Sequence, residues 1–292
     1  MTELAVVDWN APAAAVRFTE SLRSTGFAVL RNHPIRPAAV AELYQEWDAF
    51  LGSEAKHAYR ANGTQVGFFP HHPADAAAGL DAKEYFQVGD GGAYPAEVGD
   101  GARRLLATGK AMGATLLGWL QQQLPAERVA ALSEPLPEML RGSALCLLRL
   151  QRYLPAAEAS PVGAIRALAH TDLNLLTILP SPTGPGLQLR HRDGSWYDVP
   201  CDPGSAIVNA GEMLTLATGG YFPATEHRVV TAERHQRGSR YSFPIFLHAR
   251  PEVRLSAEHT AASYLARRIR DLQELGWKPA PGGAPRAAGT TP

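Results

Sequence analysis

The segment Ala167–Leu179, with the sequence ALAHTDLNLLTIL, carries an imidazole and a carboxylate inside an otherwise apolar stretch. We expect it to form one β-strand over residues 164–179. Side chains two positions apart on a strand project from the same face, so His170 and Asp172 would point to one place. Burying a charge is costly unless it is paired or bound to a metal. The pattern therefore predicts a partner, and a metal ion fits both residue types.

A third candidate ligand, His227, lies 55 residues beyond Asp172 on another strand-like run, Glu226–Thr231. Two imidazoles and one carboxylate on one face of a metal are typical of non-haem Fe(II) oxygenases. The vacant face can accept a bidentate 2-oxo acid and dioxygen. A zinc hydrolase or a metal-bound sensor could use the same donors, so this class stays open as an alternative. It is less favoured because the sequence has no companion general base of the HExxH kind.

Thirteen residues past His227, Arg240 and Ser242 stand two positions apart on the apolar run that continues to Leu247. On a strand they would face the same way, and a guanidinium beside a hydroxyl is suited to gripping a carboxylate. Tyr153, at the end of an earlier strand-like run, could add a phenolic donor. These three side chains are the candidate binding site for an organic acid.

The composition of the chain limits its partners. Its 292 residues include 28 basic and 28 acidic side chains, so no overall field attracts nucleic acid or an anionic membrane. No apolar run reaches the length of a membrane span, and the first residues lack the features of a signal peptide. We expect a cytoplasmic protein that acts on a small molecule, as a monomer or weak homodimer.

The organisation predicted around these residues is a single domain over residues 1–278. Helical spacing at 13–24, 37–51 and 102–124 indicates a mostly helical region over about residues 1–137. Short strand-like runs separated by turn residues then cover about 138–250, which favours a barrel or sandwich; they include 213–216 and 240–247. A C-terminal helix is predicted at about 256–275, capped by Ser256, and a disordered tail at 279–292.

Three motifs together resemble one known family: HTD-x(3)-LTIL, NAGEMLTLATGGYFPATEHRVV and RYSFPIFLH. They are similar to the isopenicillin N synthase-like family of Fe(II)/2-oxoglutarate-dependent dioxygenases. The resemblance implies a mainly β (α+β) fold, a double-stranded β-helix (jelly-roll) core with an N-terminal helical region and a C-terminal helix. It implies iron bound by His170, Asp172 and His227. It also implies 2-oxoglutarate held by Arg240, Ser242 and Tyr153, with Leu176 lining its pocket.

The activity implied by the resemblance is oxidation, most simply hydroxylation, of an unactivated C–H bond. Fe(II) is the cofactor, O2 and 2-oxoglutarate are co-substrates, and succinate and CO2 are released. The substrate would be an amino-acid-derived molecule or a natural-product intermediate. Within the family, an oxidase of the isopenicillin N synthase type, which uses no 2-oxoglutarate, is an alternative. Candidate substrate-facing residues are Arg149, Arg152, Asn174, Phe69 and His71.

Overall fold

The structure is a computed structural model that describes residues 4–71, 83–154, 163–232 and 239–274. The predicted tail at 279–292 lies outside the described residues. Among the described residues, no helix combines the length and apolar character needed to cross a bilayer.

The N-terminal region alternates helices with short strands. Its elements are β1 (Val6–Asp8), α1 (Ala14–Thr25), β2 (Phe27–Arg31), α2 (Pro37–Gly52), a 3-10 helix (Glu54–Tyr59), β3 (Gly67–Phe69), β4 (Lys83–Val88), α3 (Gly101–Gln122), α4 (Ala126–Ala131) and α5 (Leu136–Leu140). The three helices with helical apolar spacing are confirmed to within two residues at each end.

The rest of the chain is mainly β. It contains β5 (Leu147–Tyr153), β6 (Ile165–His170), β7 (Leu176–Pro180), β8 (Leu187–Arg190), β9 (Trp196–Asp198), β10 (Ala206–Ala210), α6 (Glu212–Ala217), β11 (His227–Val230), β12 (Arg240–Ser242), β13 (Ile245–Leu247) and α7 (Ala261–Glu274).

The strands form two sheets. The large sheet has the order β1-β2-β10-β7-β13-β5-β4-β3, with β12 also paired to β5, and the small sheet has the order β6-β11-β8-β9. Side chains from both sheets share one apolar cluster, so the sheets face each other: Phe27, Val29, Tyr153, Leu179 and Ile207 come from the large sheet, and Ala167, Leu187, Leu189 and Val229 from the small one. This arrangement confirms the predicted jelly-roll core.

The opposite face of the large sheet packs against the helices. A Cβ built on Gly109 of α3 would lie 2.5 Å from Cδ1 of Ile245, and one built on Gly113 would lie 2.1 Å from Cδ1 of Leu247. These glycines let α3 approach β13 closely. Because Ile245 and Leu247 contact the helix, Phe246 between them projects to the inner face.

Two predicted strands are wrong because turns or helix formers override the apolar pattern. The stretch 164–179 is broken between β6 and β7, so Asp172 lies in a turn. The run at 213–216 is the helix α6, and its residues Glu212–Ala217 include strong helix formers.

Two other predicted boundaries also shift. The run 240–247 divides into β12 and β13 at Phe243 and Pro244, where proline offers no amide for the ladder. Ser256 does not cap the last helix, which begins at Ala261. Its hydroxyl instead accepts hydrogen bonds from the amides of Glu258 and His259 in a preceding turn.

Candidate metal centre and co-substrate site

The three predicted metal ligands meet between β6 and β11. His170 ends β6 and His227 begins β11, and the two residues face each other in the antiparallel register. Asp172 Oδ1 is 4.0 Å from His170 Nε2 and 3.9 Å from His227 Nε2. One ligand atom from each residue lies within 4.8 Å of the others. His170 and Asp172 therefore converge, although a turn rather than a shared strand face brings them together.

Both imidazoles present the same ring nitrogen to this centre. Nδ1 of His170 is 2.7 Å from the carbonyl oxygen of Leu168, and Nδ1 of His227 is 3.1 Å from that of Thr225. A carbonyl only accepts, so each ring carries a proton on Nδ1, which leaves Nε2 as the nitrogen that can coordinate a metal. Desolvation on the enclosed side of the ring and the nearby His227 lower the pKa of His170 to about 4, which keeps it neutral at neutral pH, although 49% of the side chain is exposed on its other side.

The Asp172 carboxylate is buried and fixed by two donors. Its Oδ2 accepts hydrogen bonds from Thr177 Oγ1 at 2.5 Å and from Asn209 Nδ2 at 2.7 Å. Burial alone would raise the pKa of Asp172, but the two imidazoles and these hydrogen bonds hold it below its ordinary value. The group is ionised, and Oδ1 stays directed at the imidazoles. Thr177 and Asn209 are each the one polar residue of an otherwise apolar strand, and this is the sequence feature that could have identified them.

Asn174 belongs to this support and does not line the pocket, contrary to its predicted substrate-facing role. Its side chain is fully buried, and its Nδ2 donates to Thr177 Oγ1 at 2.9 Å. The turn that breaks the predicted strand directs this residue inward, beneath the carboxylate that it helps to hold.

The donor set fits a divalent cation. Two imidazole nitrogens and one carboxylate oxygen converge, and each of the three atoms can offer a lone pair to a metal. Three converging acceptors, two of them on buried residues, require a cation between them. The residues present would therefore hold Fe(II) through His170 Nε2, His227 Nε2 and Asp172 Oδ1.

The predicted carboxylate clamp is assembled on β12 and β5. Arg240 pairs with Tyr153, and Ser242 pairs with Gln151, in the antiparallel register. The Arg240 side chain is buried, and its Nε donates to the carbonyl oxygens of Gly184 and Pro185, each at 3.1 Å. Its Nη1 is buried without a hydrogen-bond partner among the described residues. An unpaired buried cationic donor is costly, so this atom indicates an acidic ligand.

Two further predicted site residues point away from the pocket. Arg152 Nη1 lies 3.6 Å from Glu84 Oε1, on the face of β5 opposite to Tyr153. Leu176 packs in the apolar core between the large sheet and the helices, so it does not line the co-substrate pocket. Each residue is adjacent in sequence to one that faces the site, and strand alternation turns it outward.

Arg149 lies on the same face of β5 as Tyr153. Together with Gln87, Tyr85 and Phe246 it forms a polar and aromatic surface, which we call the Arg149 wall. Its Nε and Nη2 donate to Gln87 Oε1 at 3.0 and 2.8 Å. Its guanidinium carbon lies 4.6 Å from the Tyr85 ring centre and 5.0 Å from that of Phe246. Gln87, Tyr85 and Phe246 are not among the predicted site residues, although Tyr85 and Gln87 stand two positions apart on β4 and so share a face.

The other two candidate substrate-facing residues, Phe69 and His71, differ in whether they contact the residues around Arg149. The ring of Phe69 stacks on that of Tyr85 with centroids 4.8 Å apart, which joins it to the wall. His71 is partly exposed just beyond the end of β3.

His248 is a further titratable group on this side of the sheet. It lies two residues after Phe246, and its Nδ1 is buried without a hydrogen-bond partner among the described residues. Burial lowers the pKa of His248 to about 4, so the ring is neutral near pH 7.

Comparisons with known proteins agree with this geometry. A sequence profile described as the 2OG-Fe(II) oxygenase superfamily matches residues 145–249. A crystal structure from Shewanella oneidensis, described as an oxygenase, is 44% identical, with 93% of this chain and 99% of that chain covered and a TM-score of 0.86. Gibberellin 2-beta-dioxygenase 2 of Arabidopsis thaliana is 28% identical over 254 residues, which are 82% of this chain and 73% of that protein.

A more distant structure shares the fold. A Neurospora crassa protein, solved in complex with alpha-KG and thymine, has a TM-score of 0.72 at 18% identity, with 92% of this chain and 97% of that chain covered. The chain thus belongs to the 2OG-Fe(II) oxygenase superfamily. It is an oxidoreductase that uses Fe(II), with 2-oxoglutarate and O2 as co-substrates.

Proposed function

We propose that this oxygenase hydroxylates an unactivated C–H bond of a small molecule and converts 2-oxoglutarate to succinate and CO2. The observation that carries the proposal is the pairing of two features. Three possible metal-donor atoms converge at His170, Asp172 and His227, and the same jelly roll holds the buried Arg240, whose Nη1 has no hydrogen-bond partner among the described residues.

Each part of the site has a separate task in this reaction. Fe(II), when bound, supplies the activation of dioxygen for attack on a C–H bond. Thr177 and Asn209 hold the Asp172 carboxylate so that one oxygen faces the metal position. Arg240, Ser242 and Tyr153 bind the distal carboxylate of 2-oxoglutarate, which removes the cost of the unpaired guanidinium donor.

The Arg149 wall suggests the kind of substrate. Gln87 and two aromatic rings hold the guanidinium, so Arg149 is ordered before a ligand arrives. Such a group favours a carboxylate or carbonyl oxygen, and the rings favour an apolar body. We propose a small substrate that combines a polar acceptor group with an apolar or planar frame, bound by Arg149, Phe69 and Tyr85.

We also propose that residues 1–278 act as one domain. Strands from the N-terminal region, including β2 and β4, pair directly with β10 and β5 of the jelly roll. A monomer or weak homodimer is expected, and light scattering during gel filtration measures this state.

The test of the proposed function is a screen for small molecules that stimulate succinate release from 2-oxoglutarate by the Fe(II)-loaded protein. D172A should abolish this turnover, while D198A, which removes a carboxylate from the exposed strand β9, should retain it. Full turnover by D172A would reject the ligand assignment.

Spectroscopy and metal analysis distinguish the alternative functions. Anaerobic Fe(II) and 2-oxoglutarate should give a visible absorption band with the wild-type protein. Product formation without succinate would favour an oxidase of the isopenicillin N synthase type. Tight zinc binding with hydrolysis and without the band would favour a zinc hydrolase.

A further inference from the structure

The residue between two of the proposed ligands is tied to a separate polar network. Thr171 stands between His170 and Asp172, and its hydroxyl donates a short hydrogen bond to Glu212 Oε1. Glu212 is the first residue of α6, and its side chain is 15% exposed. The turn that carries the ligands thus has a carboxylate neighbour outside the metal centre.

The C-terminal helix supplies the other partners of Glu212. Tyr264 donates its hydroxyl to Oε2 at 2.5 Å. Arg268 donates Nε to Oε2 at 2.8 Å and Nη2 to Oε1 at 3.1 Å. Each carboxylate oxygen accepts two hydrogen bonds, and a bidentate guanidinium fixes the orientation of the group. Glu212 therefore joins α7 to Thr171.

The main chain reinforces the same junction. The amides of Gly211, Glu212 and Met213 donate to the carbonyls of Leu175, Asp172 and Asn174 at 3.1, 2.8 and 3.1 Å. A Cβ on residue 211 would lie 2.2 Å from the Asn174 carbonyl oxygen, so only glycine permits this approach. Main-chain hydrogen bonds from residues 211–213 thus hold the turn 171–175 along its length. The Thr171 hydroxyl adds a side-chain hydrogen bond from the same turn to Glu212.

We propose that Glu212 is a positioning residue for the metal centre, acting through Thr171, and that α7 is part of the device that orients the ligand turn. The Thr171 side chain is drawn toward Glu212, while His170 and Asp172 on either side are directed at the metal. This inference rests on the proposed function, because it takes those two residues as ligands. Outer partners of metal ligands commonly change metal affinity by about 10- to 100-fold.

The test measures Co(II) affinity of the full chain by visible absorption, which also reports the ligand geometry. T171V removes the hydroxyl at nearly constant volume and should weaken Co(II) binding by about 10- to 100-fold. T171S keeps the hydroxyl and should bind within about threefold of wild type. Equal affinity of T171V and wild type, or equal losses in T171V and T171S, would overturn the proposal.

Glu212 and the helix are tested in the same assay. E212Q removes the charge that holds Arg268 and should weaken Co(II) binding at least about tenfold. The double variant T171V/E212Q should lose less than the product of the two single losses, because the residues act as one unit. Independent losses would contradict the coupling. R267Q, at the exposed position beside Arg268, is the matched control and should bind as wild type.

Two measurements separate this inference from the proposed function. D172A must lose Co(II) binding if the ligand assignment is correct, so retention there rejects the proposed function itself. If D172A loses the metal while T171V and E212Q keep wild-type affinity, only the positioning role is rejected. The melting temperatures of the metal-free variants measure stability separately. A variant that is less stable than wild type but binds Co(II) with wild-type affinity also counts against the positioning role.

Discussion

Replacing Arg240 with methionine should remove the binding of 2-oxoglutarate while leaving the fold in place. The side chain is buried, its Nε bonds two carbonyl oxygens, and its Nη1 has no partner among the described residues. Methionine gives up the Nε bonds but also removes the unpaired donor. These opposing effects are each about 1–3 kcal/mol, so the ligand-free stability should change little.

The effect of R240M on the affinity for 2-oxoglutarate is larger, and every contribution to it weakens binding. Two charge-assisted hydrogen bonds to a carboxylate contribute about 3 kcal/mol or more, which corresponds to a loss of at least about 100-fold in affinity. At 100 times its dissociation constant, 2-oxoglutarate stabilises the wild type by about 2.7 kcal/mol. The same concentration would stabilise R240M by only about 0.4 kcal/mol.

Thermal unfolding with Mn(II), which supports binding without turnover, measures this difference. The wild type should gain roughly 4–5 °C on addition of 2-oxoglutarate, and R240M less than about 1 °C. R152M, on the outward face of the neighbouring strand, is the matched control and should keep the wild-type shift. A full shift in R240M, or an equal loss in R152M, would refute the assignment of the clamp. If R240M does not fold, R240Q, which keeps a side-chain donor but removes the charge, supplies the same comparison.

Three other outcomes are expected. R149M should raise the KM for the primary substrate at least about tenfold, while the KM for 2-oxoglutarate stays unchanged in the succinate assay, since Arg149 and Arg240 lie at different positions on β5 and β12. The metal-free protein should lose stability as pH falls from 6.5 to about 4, because burial lowers the pKa of both His170 and His248 to about 4 in the folded state and the unfolded state therefore protonates them first. H248Q should remove roughly 1–3 kcal/mol of this loss in pH-dependent urea titrations. G109A, which would crowd Ile245, should destabilise the protein by about 1–3 kcal/mol. G118A, with 3.8 Å to its nearest neighbour, should stabilise it by about 0.5–1 kcal/mol.

The strand-like runs are sufficient to predict a barrel or sandwich, and the family resemblance specifies the jelly roll. The residue types on these runs predict the convergence of the three candidate ligands. Alternating apolar residues define the faces of the strands, and charged or imidazole side chains within them are rare enough to mark a site. The reason assigned to the convergence is wrong, since Asp172 lies in a turn. That turn is specified by hydrogen bonds to 211–213, which are distant in sequence and invisible to a local pattern.

The errors at single positions have a common physical cause. Arg152 and Leu176 neighbour inward-facing residues, and a local pattern cannot assign the face once the exact strand register is unknown. Asn174 is polar and near the ligands, so it resembles a pocket residue until its burial is known. Gln87 and Tyr85 join the site only because β4 pairs with β5, a long-range contact.

The three candidate ligands differ in their access to water: 49% of the His170 side chain is exposed, compared with 9% for His227 and 8% for Asp172. The candidate metal position is therefore open to solvent on the His170 side, while the other two donors are enclosed. Exchange of the ion with chelators or competing metals would therefore proceed past this ring. We expect the lifetime of the loaded enzyme to depend on how firmly the hydrogen bond from His170 Nδ1 to the Leu168 carbonyl holds this ring.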